Sequence, residues 1–299
     1  MTAVMLAQPG DISRLSADQW AFEGKWDGNR LIVEADHGSL RLQTRSGRDV
    51  TAEYPRLAHL ADNFQEIRAV VDGEVVALDE TGVPRFNEVQ NHRRSTRVHF
   101  WAFDVLEVDG EDLRRYRYVE RRQILETLAE LTDLTVPGVI PVETGAQARV
   151  WTRERELEGV VAKRLDSPYV GKRSPLWLKD KNWFMQEVVI GGFQWGEGRR
   201  GGTIGSLVMG IPDGEGLRYV GRVGTGFTDA DLAYLLDLLV PLRVQRSPFT
   251  AGLAPASEWV DPMLVGEVQY GERTGGGILR QPSWRGLRTD KTPDDVRKE

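Results

Sequence analysis

A chain of 299 residues, 40% hydrophobic and 28% charged, is long enough for two packed domains and has an ordinary globular composition. Zero cysteines exclude disulfides, thiolate catalysis and Cys-ligated metals, and four scattered histidines leave little for a histidine-based metal centre. No stretch approaches the ~18 apolar residues of a membrane span, and the amino terminus lacks the pattern of a secretory leader, so a cytoplasmic protein is expected. The elements follow in chain order. Residues 29–36 (NRLIVEAD) and 40–45 (LRLQTR) flank the turn-like His37-Gly38 and predict a hairpin. Periodicity predicts a helix over 51–64, strands over 68–78 and 98–108, and a second helix over 118–131 with Val119, Ile124, Leu125, Leu128 and Leu131 on one face. The segments EGVVAK (158–163) and WLKDK (177–181) read as strands with charged ends, and Lys179 and Lys181, two apart, share a face.

After Lys181 the texture changes. The segments EVVIGGFQW, GSLVMGI, LRYVGRVG and LVGEVQY are short, glycine-punctuated strands, 196–202 (GEGRRGG) is a loop, and 228–239 is helical. Short strands with a single helix predict a small barrel of the oligonucleotide-binding (OB) type. The boundary falls near 182–186, giving domains 1–183 and 184–299.

Charge is unevenly spread. The formal net charge of −6 argues against a polyanion partner, yet residues 163–200 hold eight Lys or Arg against four Asp or Glu, which suits one surface to phosphates. Residues 22–30, FEGKWDGNR, set Lys25 between Glu23 and Asp27. A lysine amine becomes a nucleophile only where its surroundings release the proton and orient the nitrogen. Taken alone the segment reads as a charged turn. Together with EGVVAK, WLKDK, the DGE of 72–74 and the RGLRTDK of 285–291, it forms a set: one amine, several cations, and isolated carboxylates able to hold a hard cation such as Mg²⁺. The G-x-G-x-x-G match at 196–201 precedes a strand and not a helix, and GRVGTG at 221–226 lacks the Lys-Ser/Thr of a phosphate-binding loop, so neither marks a nucleotide site.

The ordered motifs KWDGNR (25–30), TRSG (44–47), VVDGEVVAL (70–78), FWAFDVL (100–106), EGVVAKR (158–164), WLKDK (177–181) and WRGLRTDK (284–291) resemble the covalent nucleotidyltransferases, and among them the ATP-dependent DNA ligases of the bacterial end-joining, ligase D, type. The resemblance implies an α+β fold: a nucleotidyltransferase (adenylation) domain of mixed and antiparallel sheets with helices, followed by an OB-fold β-barrel. It implies Lys25 as the residue that takes AMP from ATP, Glu23 at the adenine edge, Phe103 stacked on the base, and Arg30 and Arg45 at the ribose and phosphates. Glu74 is implied at the ribose or metal, Glu158 at Mg²⁺ or Mn²⁺, and Lys163, Lys179 and Lys181 around the transferred phosphate. Arg288 and Lys291 are implied at the pyrophosphate. Asn29 departs from the pattern, since relatives usually carry Tyr there. The implied partners are nicked or broken duplex DNA, with Ku and polymerase or end-processing modules, in the bacterial cytoplasm at the nucleoid. With 24 residues before Lys25, a minimal ligase core without an amino-terminal clamping domain is expected. An RNA ligase or capping guanylyltransferase, and a non-catalytic nucleic-acid-binding module, are the competing readings.

Overall fold

The computed structural model describes residues 3–78, 98–132, 134–252, 254–255 and 257–297. The chain divides into two units, Met1–Asn182 and Trp183–Glu299. The described residues of the first hold the strands β1 (Leu6–Pro9), β2 (Trp20–Lys25), β3 (Asn29–Asp36), β4 (Ser39–Thr44), β5 (Arg68–Ala77), β6 (Val98–Val108), β7 (Glu111–Asp112), β8 (Gly159–Arg164) and β9 (Arg173–Lys181). One sheet has the order β1-β9-β8-β2, with β1 parallel to β9 and the rest antiparallel. The other is the antiparallel series β4-β3-β5-β6-β7. The expected hairpin joins β3 to β4. Its turn residues His37 and Gly38 have φ of 44° and 83°, the two left-handed positions of a turn whose twist suits paired strands.

The first helix departs from expectation. Residues 51–64 form two 3₁₀ turns, Thr51–Glu53 and Pro55–Leu57, and a single α turn, α1 (Leu60–Asn63). Pro55 has no N–H to continue a ladder from the preceding turn, so the segment breaks there. Tyr54, Leu57, Leu60 and Phe64 are nevertheless buried, which is why their spacing imitates a helix. The second helix, α2 (Tyr118–Thr132), occupies its expected place but buries a different face. Tyr118, Arg121, Arg122, Leu125, Leu128 and Thr132 point inward, whereas Leu131 is 68% exposed. A third helix, α3 (Gly145–Glu154), is not expected from apolar periodicity and starts in a capping box of Thr144 and Gln147.

Arg121 explains the rotation of α2. Its guanidinium is fully buried and pairs with Asp104 on β6 through Nε–Oδ1 at 2.7 Å and Nη2–Oδ2 at 2.9 Å. Nη1 donates to the carbonyls of Tyr116 and Ser167. Satisfied in this way, an arginine can lie where the pattern calls for leucine. Leu125 and Leu128 then pack with Val33, Val71 and Phe100 on one side of the five-stranded sheet. On its other side Ile32 and Leu106 meet Met5, Tyr169 and Trp177, which joins the two sheets.

The second unit has the strands β10 (Phe184–Trp195), β11 (Ile204–Asp213), β12 (Gly216–Val223), β13 (Arg243–Val244), β14 (Phe249–Ala251), β15 (Glu258–Val260), β16 (Val265–Tyr270), β17 (Glu272–Arg273), β18 (Leu279–Arg280) and β19 (Ser283–Leu287). Long β10 is central: it pairs with β11 along one edge and with β16 and then β15 along the other. The four strands expected after Lys181 lie within β10, β11, β12 and β16, and residues 196–202 connect β10 to β11. Helix α4 (Asp229–Leu239) starts at a capping box made by Thr228 and Asp231, and its Leu232, Leu235 and Leu239 enter the core with Val189, Phe193, Leu207 and Val268. Among the described residues no helix is long and apolar enough to cross a membrane.

Removing the side chain of Arg121 strands Asp104 as a buried, unpaired carboxylate. Arg121→Ala is therefore expected to lower the stability of the first unit by about 3–5 kcal/mol, read as a fall in the urea midpoint of its unfolding transition.

Candidate active site

Strand alternation assembles the site. Across β2, β8 and β9, Glu23 lies opposite Val161 and then Lys179, Lys25 opposite Gly159 and then Lys181, and Ala21 opposite Lys163 and then Trp177. Residues directly opposite one another share a face. That face therefore carries Glu23, Lys25, Lys163, Trp177, Lys179 and Lys181. The even-numbered residues Phe22, Val160, Ala162 and Leu178 pack behind it with Ile12, Ile140 and Ala148. Gly28 closes the connection from β2 to β3 against β5: a Cβ there would lie 2.1 Å from the carbonyl oxygen of Val75.

At one end of this face sits the nucleophile candidate. Lys25 Nζ contacts Glu158 Oε2, while Lys181 Nζ lies 2.8 Å from Glu158 Oε1. Burial works to raise the Glu158 carboxyl, but the charges of Lys25 and Lys181 and their hydrogen bonds hold it below the usual carboxylate range. Lys179 is lowered, first by burial and then by its cationic neighbours Lys25, Lys181 and Arg173. A group of crowded cations of this kind is stabilised by an incoming polyanion. Glu74 lies beside them on β5, opposite Arg30 of β3. Burial pushes its carboxyl up to about 8 against the pull of Lys25 and Arg30.

The other end is drier. Glu23, 4% exposed, takes a hydrogen bond of 2.5 Å from Tyr118 Oη and lies 2.9 Å from Lys163 Nζ. Lys163 also donates to the carbonyl of Phe103 at 2.8 Å and lies 4.5–5.2 Å from the ring centroids of Trp177, Phe103 and Tyr118. Desolvation lowers its ammonium, and Glu23 partly restores it. Lys163, which the resemblance groups with Lys179 and Lys181, lines the same cavity as Lys179. Lys163 is enclosed by aromatic rings beside Phe103 and is paired with Glu23. Arg30 is likewise committed, through Nε and Nη2 at 2.9 and 2.5 Å from Asp72, with its guanidinium 5.3 Å from the Phe103 centroid. Tyr169 Oη donates to the same Asp72 at 2.6 Å.

Between these ends lies a cavity of about 190 Å³ bounded by Glu23, Lys25, Arg30, Arg45, Glu74, Phe103, Lys163, Arg173, Trp177 and Lys179, among others. Six of its lining residues are Lys or Arg and two are Glu, which favours a polyanionic guest. A wider cleft of about 710 Å³ shares Arg30 and Arg45 with it and continues along Thr44, Ser46, Arg48 and Tyr54. At position 29, the asparagine donates from Nδ2 to Tyr54 Oη at 3.0 Å. Arg173 and Trp26 in the walls, and Tyr118 behind them, have no assigned role in the sequence reading, whereas Asp72 belongs to the DGE of 72–74. For Arg173 the basic run of 163–200 is a signal, and Tyr118 reveals itself only through tertiary contact. Arg288 and Lys291 belong to the second unit, where both hold Glu187, at 2.6 and 3.0 Å.

The donor set suits a small hard cation, because Mg²⁺ is commonly held by one or two carboxylates together with substrate phosphates. Glu74 and Glu158 are the carboxyl groups beside Lys25 that would face such an ion. Among the described residues no cluster of three or more His, Cys, Asp or Glu forms a self-sufficient metal cage.

Comparison with known proteins accounts for both units. Residues 4–181 match the ATP dependent DNA ligase domain and residues 200–291 the ATP dependent DNA ligase C terminal region. The multifunctional non-homologous end joining protein LigD of Mycolicibacterium smegmatis is 56% identical over 98% of this chain, and that of Pseudomonas aeruginosa 40% identical over 93%. The chain spans 39% and 34% of those two proteins. The ligase domain of Mycobacterium tuberculosis LigD matches at 54% identity with a TM-score of 0.62, covering 99% of this chain and 98% of that one. A mycobacterial DNA ligase D complexed with ATP and MES matches at 53% identity with the same TM-score and the same coverage of both chains. With a nucleotidyltransferase domain followed by an OB-fold domain, and a lysine presented on the cationic face of β2, the chain belongs to the ATP-dependent DNA ligases.

Proposed function

We propose that this chain seals nicked or broken duplex DNA in three transfers at phosphorus, with Lys25 as the nucleophile of the first. The observation that carries the reading is the place of Lys25: at the end of β2, touching Glu158, on the wall of a cavity lined by six Lys or Arg and two Glu. The amine attacks the α-phosphorus of ATP, an N–P bond forms, the bond to pyrophosphate breaks, and the amine loses a proton. A DNA 5′-phosphate oxygen then attacks the same phosphorus and displaces the lysine. Finally a 3′-hydroxyl attacks the activated DNA phosphate, releasing AMP and the hydroxyl proton.

In this reading Glu23 faces the adenine edge, with Lys163 as its partner, and Phe103 stacks on the base, braced by Arg30. Arg45 meets the ribose and phosphates, and Lys179 and Lys181 neutralise oxygens on the transferred phosphate. Glu74 and Glu158 would hold Mg²⁺ or Mn²⁺, which when bound supplies charge neutralisation on the phosphates. Arg288 and Lys291 assist the departure of pyrophosphate. The relatives named for non-homologous end joining support a role in that repair; in this reading its place is the bacterial cytoplasm at the nucleoid, with Ku and polymerase or end-processing modules as partners. Labelled ATP or GTP, chased with nicked DNA or RNA, tests the assignment: label from ATP that passes from protein to DNA is expected, and a preference for GTP or for RNA would move the chain to the capping or RNA-ligase class.

Lys25→Ala and Lys25→Arg are expected to form no labelled adduct. Neither replacement supplies a neutral amine, and a guanidinium keeps its charge at any accessible pH. An acid-labile, base-stable adduct on either variant would remove Lys25 from its role. The double variant Arg288→Ala/Lys291→Ala is expected to slow adenylylation of Lys25 by ~100-fold or more, while sealing of DNA carrying a preformed 5′-adenylate is spared. Equal loss of both steps in a folded double variant would deny these residues a role specific to pyrophosphate release.

A further inference from the structure

Glu23 is held by more than Lys163. Its Oε1 accepts a hydrogen bond from Tyr118 Oη at 2.5 Å and faces Arg122 Nη1 at 3.8 Å. Both residues sit on the first turn and a half of α2, outside every motif that carries the family resemblance. Arg122 is fixed by Glu126 and by the carbonyl of Pro137, at 2.7 and 2.8 Å, and its Nη1 makes no hydrogen bond among the described residues. The partners around the Glu23 carboxyl are thus a phenol, an ammonium and a guanidinium. An ammonium and a guanidinium can only donate, and burial together with the Glu23 charge pushes the Tyr118 phenol up, so it too keeps its proton and donates.

We propose that Tyr118, backed by Arg122, is a positioning residue that holds Glu23 as a fixed, acceptor-only carboxylate and thereby makes the nucleotide cavity select adenine over guanine. The inference rests on the reading that Glu23 faces the base edge. Adenine presents an amino donor at C6, whereas guanine presents a carbonyl acceptor there. A carboxylate surrounded by donors welcomes the first and repels the second. Freed from the phenol, Glu23 can rotate and no longer presents a fixed acceptor to the base edge. A site built for one hydrogen-bond polarity discriminates strongly because the wrong ligand leaves buried groups unpaired.

The experiment compares adenylylation and guanylylation of Lys25 in the full chain, with kcat and KM measured separately for ATP and GTP. Tyr118→Phe keeps the ring and removes only the hydroxyl. It is expected to lower the ATP-to-GTP ratio of kcat/KM by about 10-fold, through a higher KM for ATP and improved use of GTP, with kcat at saturating ATP little changed. Glu23→Gln, whose amide can also donate, calibrates the test and is expected to lower the ratio further. Arg122→Met removes the cation facing the same oxygen, shifts the ratio in the same direction, and keeps the test open if Tyr118→Phe folds poorly. A ratio that falls in Glu23→Gln but stays at the parental value in Tyr118→Phe and Arg122→Met overturns the proposal and leaves the reading of Glu23 intact. Equal losses with both nucleotides, the mark of a merely structural role, overturn it as well. A ratio unmoved by Glu23→Gln itself would remove Glu23 from the base edge and the proposal with it.

Discussion

The period of two along β2, β8 and β9 forces opposite charges onto a single, poorly solvated face, and the rest of the first unit is arranged around that constraint. Unpaired, those charges would each cost several kcal/mol. They are therefore neutralised internally: Glu23 by Lys163, and Glu158 by Lys25 and Lys181. Nucleotide binding in such a site is an exchange of partners. Phosphates can take over cations that carboxylates hold beforehand, so the face is never left with its full charge uncompensated.

The five-stranded sheet and α2 serve as the brace. The Arg121–Asp104 pair ties α2 to β6 next to Phe103, and the same helix turn delivers Tyr118 and Arg122 to Glu23. Lys163 spans the two sheets from β8 to the carbonyl of Phe103. A buried polar network is costly unless every member is satisfied, and satisfied it rigidifies what it holds. Here it fixes the Glu23 end of the face, where Tyr118, Lys163 and Arg122 surround the carboxylate.

What the sequence discloses and what it hides follow from the range of the forces involved. The β3–β4 hairpin is legible because His37-Gly38 and the flanking alternation are local signals, and Thr228 announces α4 in the same way. The lysines of WLKDK are legible because two-residue spacing alone puts them on one face. The break at Pro55 is hidden by four apolar residues that keep helical spacing across it. The inward face of α2 is hidden because Arg121 and Arg122 look like solvent-facing residues until Asp104 and Glu23, 17 and 99 positions away, are brought to them. Helix α3 has few apolar residues to mark it, although Thr144-x-x-Gln147 was a readable start. The same limit applies to Lys163, whose partners Glu23 and Phe103 lie 140 and 60 positions away.

The sheet that carries the lysines is made from the two ends of the first unit, with the five-stranded sheet inserted between. Lys25 and Glu158 are 133 positions apart, and β1 waits for β9, which is longer still in coming. On a ribosome adding ~5–20 residues per second, β2 emerges roughly 7–27 s before the glutamate that meets its lysine. Throughout that interval β2 has no neighbour in its own sheet. A growing chain can fold its inserted sheet first, but the face that sets Lys25 against Glu158 forms only once the last strands of the unit have arrived.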